Sequence, residues 1–137
     1  MDVVSNKRRS EIMRAVKRAN TKPEMIVRKI AHGLGARYRL HDRKLPGSPD
    51  VVFVSRKICL FVHGCFWHRH EGCRLASIPS SNCEFWSKKF LRNMERDSRN
   101  EELLRDLGWR VEVVWQCETR SQENLTARLG AILFPSK

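Results

Sequence analysis

At 137 residues the chain is long enough for one domain with a buried core, and no Pro/Gly/Ser linker, repeat or low-complexity tract divides it. Twenty-seven Lys and Arg against fifteen Asp and Glu leave a formal charge of +12, which points to a polyanionic partner, nucleic acid before membrane. The composition excludes a membrane-spanning stretch and a secretory apolar core, and five cysteines cannot all pair within the chain, so a reducing, cytoplasmic setting is expected.

In chain order, Ser5 to Asn20 reads as a basic amphipathic helix, with Lys7, Arg8, Arg9, Arg14, Lys17 and Arg18 around a narrow stripe of Ile12, Met13 and Val16. Such a helix fits along a nucleic-acid backbone, and fits as well as a solvated helix docked by its stripe. Thr21-Lys22-Pro23-Glu24 is a capping box with Pro in the first turn, opening a helix with the apolar face Ile26, Ile30 and Leu34, which Gly33 and Gly35 end. On these grounds Glu24 returns to its own cap and needs no catalytic role. Ala36 to Leu40 alternates around Tyr38 and reads as a strand.

Leu45-Pro46-Gly47-Ser48-Pro49-Asp50 is a rigid approach to the apolar run Val51 to Val54, and Ile58 to Val62 comes after Ser55-Arg56-Lys57. These two runs form a hairpin. A two-residue turn at Arg56-Lys57 sets Asp50 opposite His63, and a three-residue loop sets it opposite Val62. Either register brings the carboxylate to the start of the segment Val62 to Cys73. As a residue after Pro49, Asp50 reads equally as a turn or capping carboxylate.

That segment holds three of the five histidines and two of the five cysteines of the chain. Thiolates and imidazoles at short spacing suit tetrahedral zinc, and Cys65, His70 and Cys73 make a half-site short of one ligand, for which Cys117 is the best candidate. The spacing matches no common finger, and buried thiols with surface imidazoles would need no metal. Asn82 to Gly108 has helical periodicity through Phe85, Trp86, Phe90, Met94, Leu103, Leu104 and Leu107; Arg110 to Trp115 is a strand ending beside Cys117; and Thr119-Arg120-Ser121-Gln122 caps a last helix with Leu125, Leu129 and Leu133. The order of elements gives a mixed α/β domain.

Pro49-Asp50, followed by Val62-His63-Gly64-Cys65-Phe66-Trp67-His68 and His70, resembles the very short patch repair endonucleases. So do the basic N-terminal helix, Leu45 to Asp50, Glu84-Phe85-Trp86, Asn93 to Asp97 and Leu107 to Cys117. The resemblance implies a restriction-endonuclease-like core, a mixed central sheet flanked by helices with a structural zinc site, and nicking of double-stranded DNA beside a T:G mismatch left by deamination of 5-methylcytosine. It implies catalytic magnesium on Asp50 and the carbonyl of residue 62, His63 and His68 as active-site histidines with His68 as general base, and Glu24 near the metal's water shell. It further implies zinc on Cys65, His70, Cys73 and Cys117, intercalation by Phe66, Trp67 and Trp86, a monomer, a functional pairing with a cytosine-5 DNA methyltransferase, and a nucleoid-associated location. The chain departs from the family pattern where Val62 stands for Thr, Arg69 for His, and Glu71-Gly72 alters the run before Cys73. A zinc-stabilised DNA-binding module without catalysis, and a restriction-type nuclease cutting matched DNA, are the alternatives.

Overall fold

The computed structural model describes residues 21–76 and 81–135, so the basic segment Ser5 to Asn20 lies outside the described residues. Helix α1 (Lys22–Gly33) begins at Thr21, whose hydroxyl accepts from the Glu24 N–H at 3.4 Å. It is followed by β1 (Arg39–Leu40), β2 (Val51–Phe53), β3 (Ile58–His63), the long α2 (Cys83–Asp106), β4 (Arg110–Trp115) and α3 (Gln122–Leu133). The four strands form one mixed sheet in sequence order, with β1–β2 and β2–β3 antiparallel and β3–β4 parallel.

The sheet is covered on both sides, which is why β2 and β3 read as unbroken apolar runs. Val51, Phe53, Leu60 and Val114 face a core shared with Val27, Ile30 and Ala31 of α1 and with Leu125, Leu129 and Ile132 of α3. Val52, Cys59 and Phe61 face Leu104 of α2 instead. Alternation along β3 then puts His63 on the α2 side, in step with Cys59 and Phe61. Among the described residues no helix is long and apolar enough to cross a membrane.

Three local expectations change. The observed register pairs Val51 with Leu60 and Phe53 with Ile58, so neither turn length anticipated from sequence holds, and Asp50 is level with Phe61 rather than with His63 or Val62. The cause is a four-residue connection: Val54–Arg56 makes a 3-10 turn, and Lys57 closes it in the left-handed region at φ 57°. The expected strand from Ala36 shrinks to Arg39–Leu40, with Tyr38 packed edge-on against Phe53. The last helix is capped by Ser121, which accepts from Asn124 N–H at 3.2 Å, because Thr119 belongs to the 3-10 segment Gln116–Arg120 before it.

Candidate active site and metal centre

Asp50 is carried by a loop that α2 holds in place. Gly47, at φ 77°, approaches α2 so closely that a Cβ there would lie 3.0 Å from the Asn100 side chain, and Pro49 is fully buried. From this anchored loop Asp50 Oδ2 accepts the Val62 N–H at 2.7 Å. The carboxylate therefore reaches the edge of β3 despite the shifted register, and enters a cleft of about 1160 Å³ lined also by Glu24, His63, Trp67 and His68.

The Glu24 carboxylate turns into this cleft, 3.1 Å from Arg28 Nη2 and 3.4 Å from His41 Nε2, so its position serves more than the helix cap read from sequence. Burial, ahead of the neighbouring Glu24 carboxylate, pushes Asp50 up to about 7 against the opposing Val62 N–H. Two carboxylates that repel in a half-buried cleft are what a hard divalent cation relieves, and oxygen donors suit such an ion. Glu24, His41 and Asp50 each present a donor atom within 4.8 Å of the others.

Opposite them, His63 and His68 stack with ring centroids 3.9 Å apart and an interplanar angle of 7°. His68 Nδ1 is 2.5 Å from Asp97 Oδ2 of α2. Burial, reinforced by the adjoining His68, holds His63 down to about 4, so at neutral pH its ring is uncharged. His63, His68 and Asp97 form a second group able to hold a cation.

The sulfur-rich cluster arises from strand pairing. Because β3 and β4 are parallel with His63 beside Trp115, two further residues on each strand bring Cys65 and Cys117 together. Their donor atoms, with those of His70 and Cys73, all lie within 4.8 Å of one another, and Cys117 Sγ is 3.4 Å from His70 Nδ1. The His70 ring lies flat against Trp115, centroids 4.2 Å apart. Three thiols and one imidazole make a four-donor set of the kind zinc prefers in structural sites. Burial pushes the Cys65 thiol up to about 12 and raises Cys117, so a metal binding here must displace the thiol protons.

Phe66 and Trp67 sit between two of those ligands and pack edge to face at 5.0 Å. Both are half-buried, and Lys89 lies 5.4 Å from the Trp67 ring. Trp86 is only 5 % exposed and packs at 5.8 Å under both rings, with Phe90 behind it. Of the three aromatics expected to intercalate, Trp86 is the one whose ring lies beneath the other two in this structure. Arg69, the residue standing for histidine, braces the loop by stacking on Phe90 at 4.1 Å and donating to the carbonyls of Phe66 and Ala76.

Residue-by-residue reading missed Asp97, His41 and Arg28. A signal for Asp97 existed: Asn93, Asp97, Asn100 and Glu101 recur at helical spacing along α2, and all four line the cleft.

Comparison with known proteins agrees with the geometry. The sequence profile described as DNA mismatch endonuclease Vsr matches residues 1–74. The chain is 51 % identical over 135 residues to the type II nicking enzyme V.XorIIP of Xanthomonas oryzae, covering 98 % of each. It is 39 % identical over 132 residues to the type II nicking enzyme V.NmeAIP of Neisseria meningitidis, covering 96 % of this chain and 94 % of that one. Over 125 residues it is 42 % identical to the DNA mismatch endonuclease Vsr of Escherichia coli, covering 91 % and 80 % respectively.

Proposed function

The chain belongs to the DNA mismatch endonuclease Vsr family, and from that premise we propose that it nicks duplex DNA 5′ to the T of a T:G mismatch with magnesium held at Asp50. The observation that carries this reading is the meeting of Asp50, Glu24, His63 and His68 in one cleft rimmed by Trp67. A restriction-endonuclease-like core over residues 1–137 as one domain is part of the same proposal.

Magnesium bound there would neutralise the scissile phosphate and acidify a coordinated water. The protein's own share is placement. Asp50 and the Val62 carbonyl supply hard oxygen donors, and the backbone donor is unaffected by Val standing where the family has Thr. Glu24 orients water beside them. His68 takes the proton from the attacking water through the ring nitrogen not engaged by Asp97, and Asp97 acts as a positioning residue that holds the tautomer. His63, stacked on His68, confines that ring to one plane. We expect Asp97→Asn to lower single-turnover nicking about 100-fold with little change in duplex affinity, measured with end-labelled DNA. Unchanged nicking would remove Asp97 from the mechanism.

Zinc at Cys65, His70, Cys73 and Cys117 has no open position in this scheme, so it shapes the loop and takes no part in hydrolysis. Phe66 and Trp67 then serve as a wedge that enters the base stack, which opens at least cost at a mismatch. Base–aromatic stacking is worth roughly 1–3 kcal/mol per base, so Trp67→Ala is expected to reduce the preference for T:G over T:A duplexes by about tenfold or more. A retained preference in that variant would assign discrimination elsewhere. The charge of +12 suits backbone binding, and the repair of 5-methylcytosine damage pairs the enzyme, as a monomer at the nucleoid, with a cytosine-5 DNA methyltransferase.

The deciding experiment is nicking of end-labelled duplexes carrying T:G or T:A at one position, with and without magnesium. Magnesium-dependent cleavage of one strand, confined to T:G, is the expected result. Cleavage of both strands of the matched duplex would favour a restriction-type enzyme.

A further inference from the structure

Behind the carboxylate pair lies a cation that the hydrolytic scheme leaves unused. Arg28, four residues after Glu24 on α1, is 9 % exposed, and its Nη2 is 3.1 Å from Glu24 Oε2 and 2.9 Å from His41 Nε2. The His41 ring bridges onward, 3.4 Å from Glu24 Oε2 and, at Nδ1, 3.9 Å from Asp50 Oδ1. A guanidinium offers only donors and keeps its proton, so Arg28 sets a permanent positive charge against the acidic cleft. Accepting from Arg28 at Nε2 leaves the His41 proton on Nδ1, directed at Asp50. Arg28 thus pairs directly with Glu24, and the His41 ring lies between it and Asp50, so one buried charge stands behind both carboxylates.

We propose that Arg28 is an internal counter-ion that keeps the Glu24–Asp50 cleft from retaining a divalent cation by itself, so that the ion is held only together with a DNA phosphate. The inference rests on the reading of Asp50 as the cation's ligand. With both carboxylates ionised, as a bound cation requires, one guanidinium leaves a single net negative charge for a doubly charged, strongly hydrated ion. A phosphodiester oxygen entering the cleft supplies the second. Metal and duplex must then reinforce each other's binding, and by linkage the coupling acts equally in both directions.

The test is Mn2+ binding to zinc-loaded protein, monitored by the electron paramagnetic resonance signal of free Mn2+, without DNA and with a short T:G duplex. Without DNA the wild type should bind weakly. Arg28→Met should bind roughly tenfold more tightly or better, since a unit positive charge 3.1 Å from the Glu24 carboxylate is removed. Arg28→Lys, which keeps the charge, should stay near wild type, and the duplex should tighten binding less in Arg28→Met than in the wild type. Arg28→Gln, which retains hydrogen-bonding capacity without charge, replaces Arg28→Met if that variant does not fold by circular dichroism, with the same expectation. A general loosening of structure would weaken Mn2+ binding, so a gain in affinity separates the counter-ion role from a purely structural one. Binding that depends on Asp50, as judged by its loss in Asp50→Asn, but is indifferent to both neutral Arg28 variants would overturn this inference alone. Binding that survives Asp50→Asn unchanged would overturn the underlying assignment of the ion to Asp50, and this inference with it.

Discussion

Asp50→Ala is expected to lower magnesium-dependent nicking by about a thousandfold while leaving zinc content at the wild-type level. The magnitude comes from the several kcal/mol of charge stabilisation that a bound divalent ion contributes, at about 1.4 kcal/mol per tenfold in rate. The selectivity comes from geometry, since Asp50 belongs to the Glu24–His41 group and the four zinc candidates form a separate one. Single-turnover nicking together with metal analysis checks both halves, and a variant that cuts at the wild-type rate would remove the catalytic assignment. The same residue links stability to pH. A carboxyl lifted from 3.8 to about 7 in the folded protein leaves stability intact below 3.8, erodes it as pH rises from there through about 7, and leaves it fully lost above that. The lost stability is on the order of 4 kcal/mol. Asp50→Asn, which keeps the size and an acceptor for the Val62 N–H, is therefore expected to raise the Tm of the magnesium-free protein by several degrees at pH 8 and by little at pH 4. Activity and stability should move in opposite directions at this position, as they do where like charges are held together for function.

Cys117→Ser is the second large effect. It should empty the sulfur-rich site and lower Tm by about 10 °C, because structural zinc contributes folding free energy directly and a few kcal/mol corresponds to that shift in a domain of this size. Apart from the four donors, the loop from Cys65 to Cys73 is held by side chains alone, chiefly the His68–Asp97 pair, Asn93 donating to the Trp67 carbonyl and Arg69 stacked on Phe90. Its backbone bonds are short-range, such as His68 N–H to Gly64 O and His70 N–H to Cys65 O, and its apolar anchor is the Phe66 ring. Nicking should fall with the zinc, since His68 and Trp67 lie between two ligands and lose their placement when the loop relaxes. The raised thiol of Cys65 adds a pH dependence: protons compete with the metal, so zinc affinity in the wild type falls as pH falls. Metal analysis and thermal melts across pH provide the check. Full zinc content and an unchanged Tm in Cys117→Ser would take Cys117 out of the ligand set.

Much of the site was legible in the linear chain because its chemistry is local. Cys65, His70 and Cys73 fall within nine positions, and Phe66, Trp67 and His68 sit among them, so residue type and spacing alone marked a candidate metal site bearing aromatics and an imidazole. The remote ligand was also accessible, since strand β4 ends just before Cys117 and a strand delivers the residues after its last position to one edge of the sheet. The helices were legible through their caps and apolar periods, and the apolar runs of β2 and β3 through their continuity.

What only the tertiary structure decided depends on side chains whose neighbours are distant in sequence. The hairpin register hung on a four-residue connection closed by Lys57 in the left-handed region, a conformation that the composition of Ser55-Arg56-Lys57 does not specify. Trp86 belongs to a helical stripe whether it faces core or solvent, and the packing of α2 against the Cys65–Cys73 loop placed its ring beneath Phe66 and Trp67. Glu24 is a plausible cap residue in any first turn; its carboxylate became part of the cleft because α1 lies across the sheet beside Asp50. Asp97 and His68 are separated by 29 residues and meet through the azimuth of α2, and Arg28 and His41 meet across the turn after α1. Amino-acid type thus determined which groups were capable of chemistry, and the rotation and docking of helices on the sheet determined which of them share a proton, an ion or a charge.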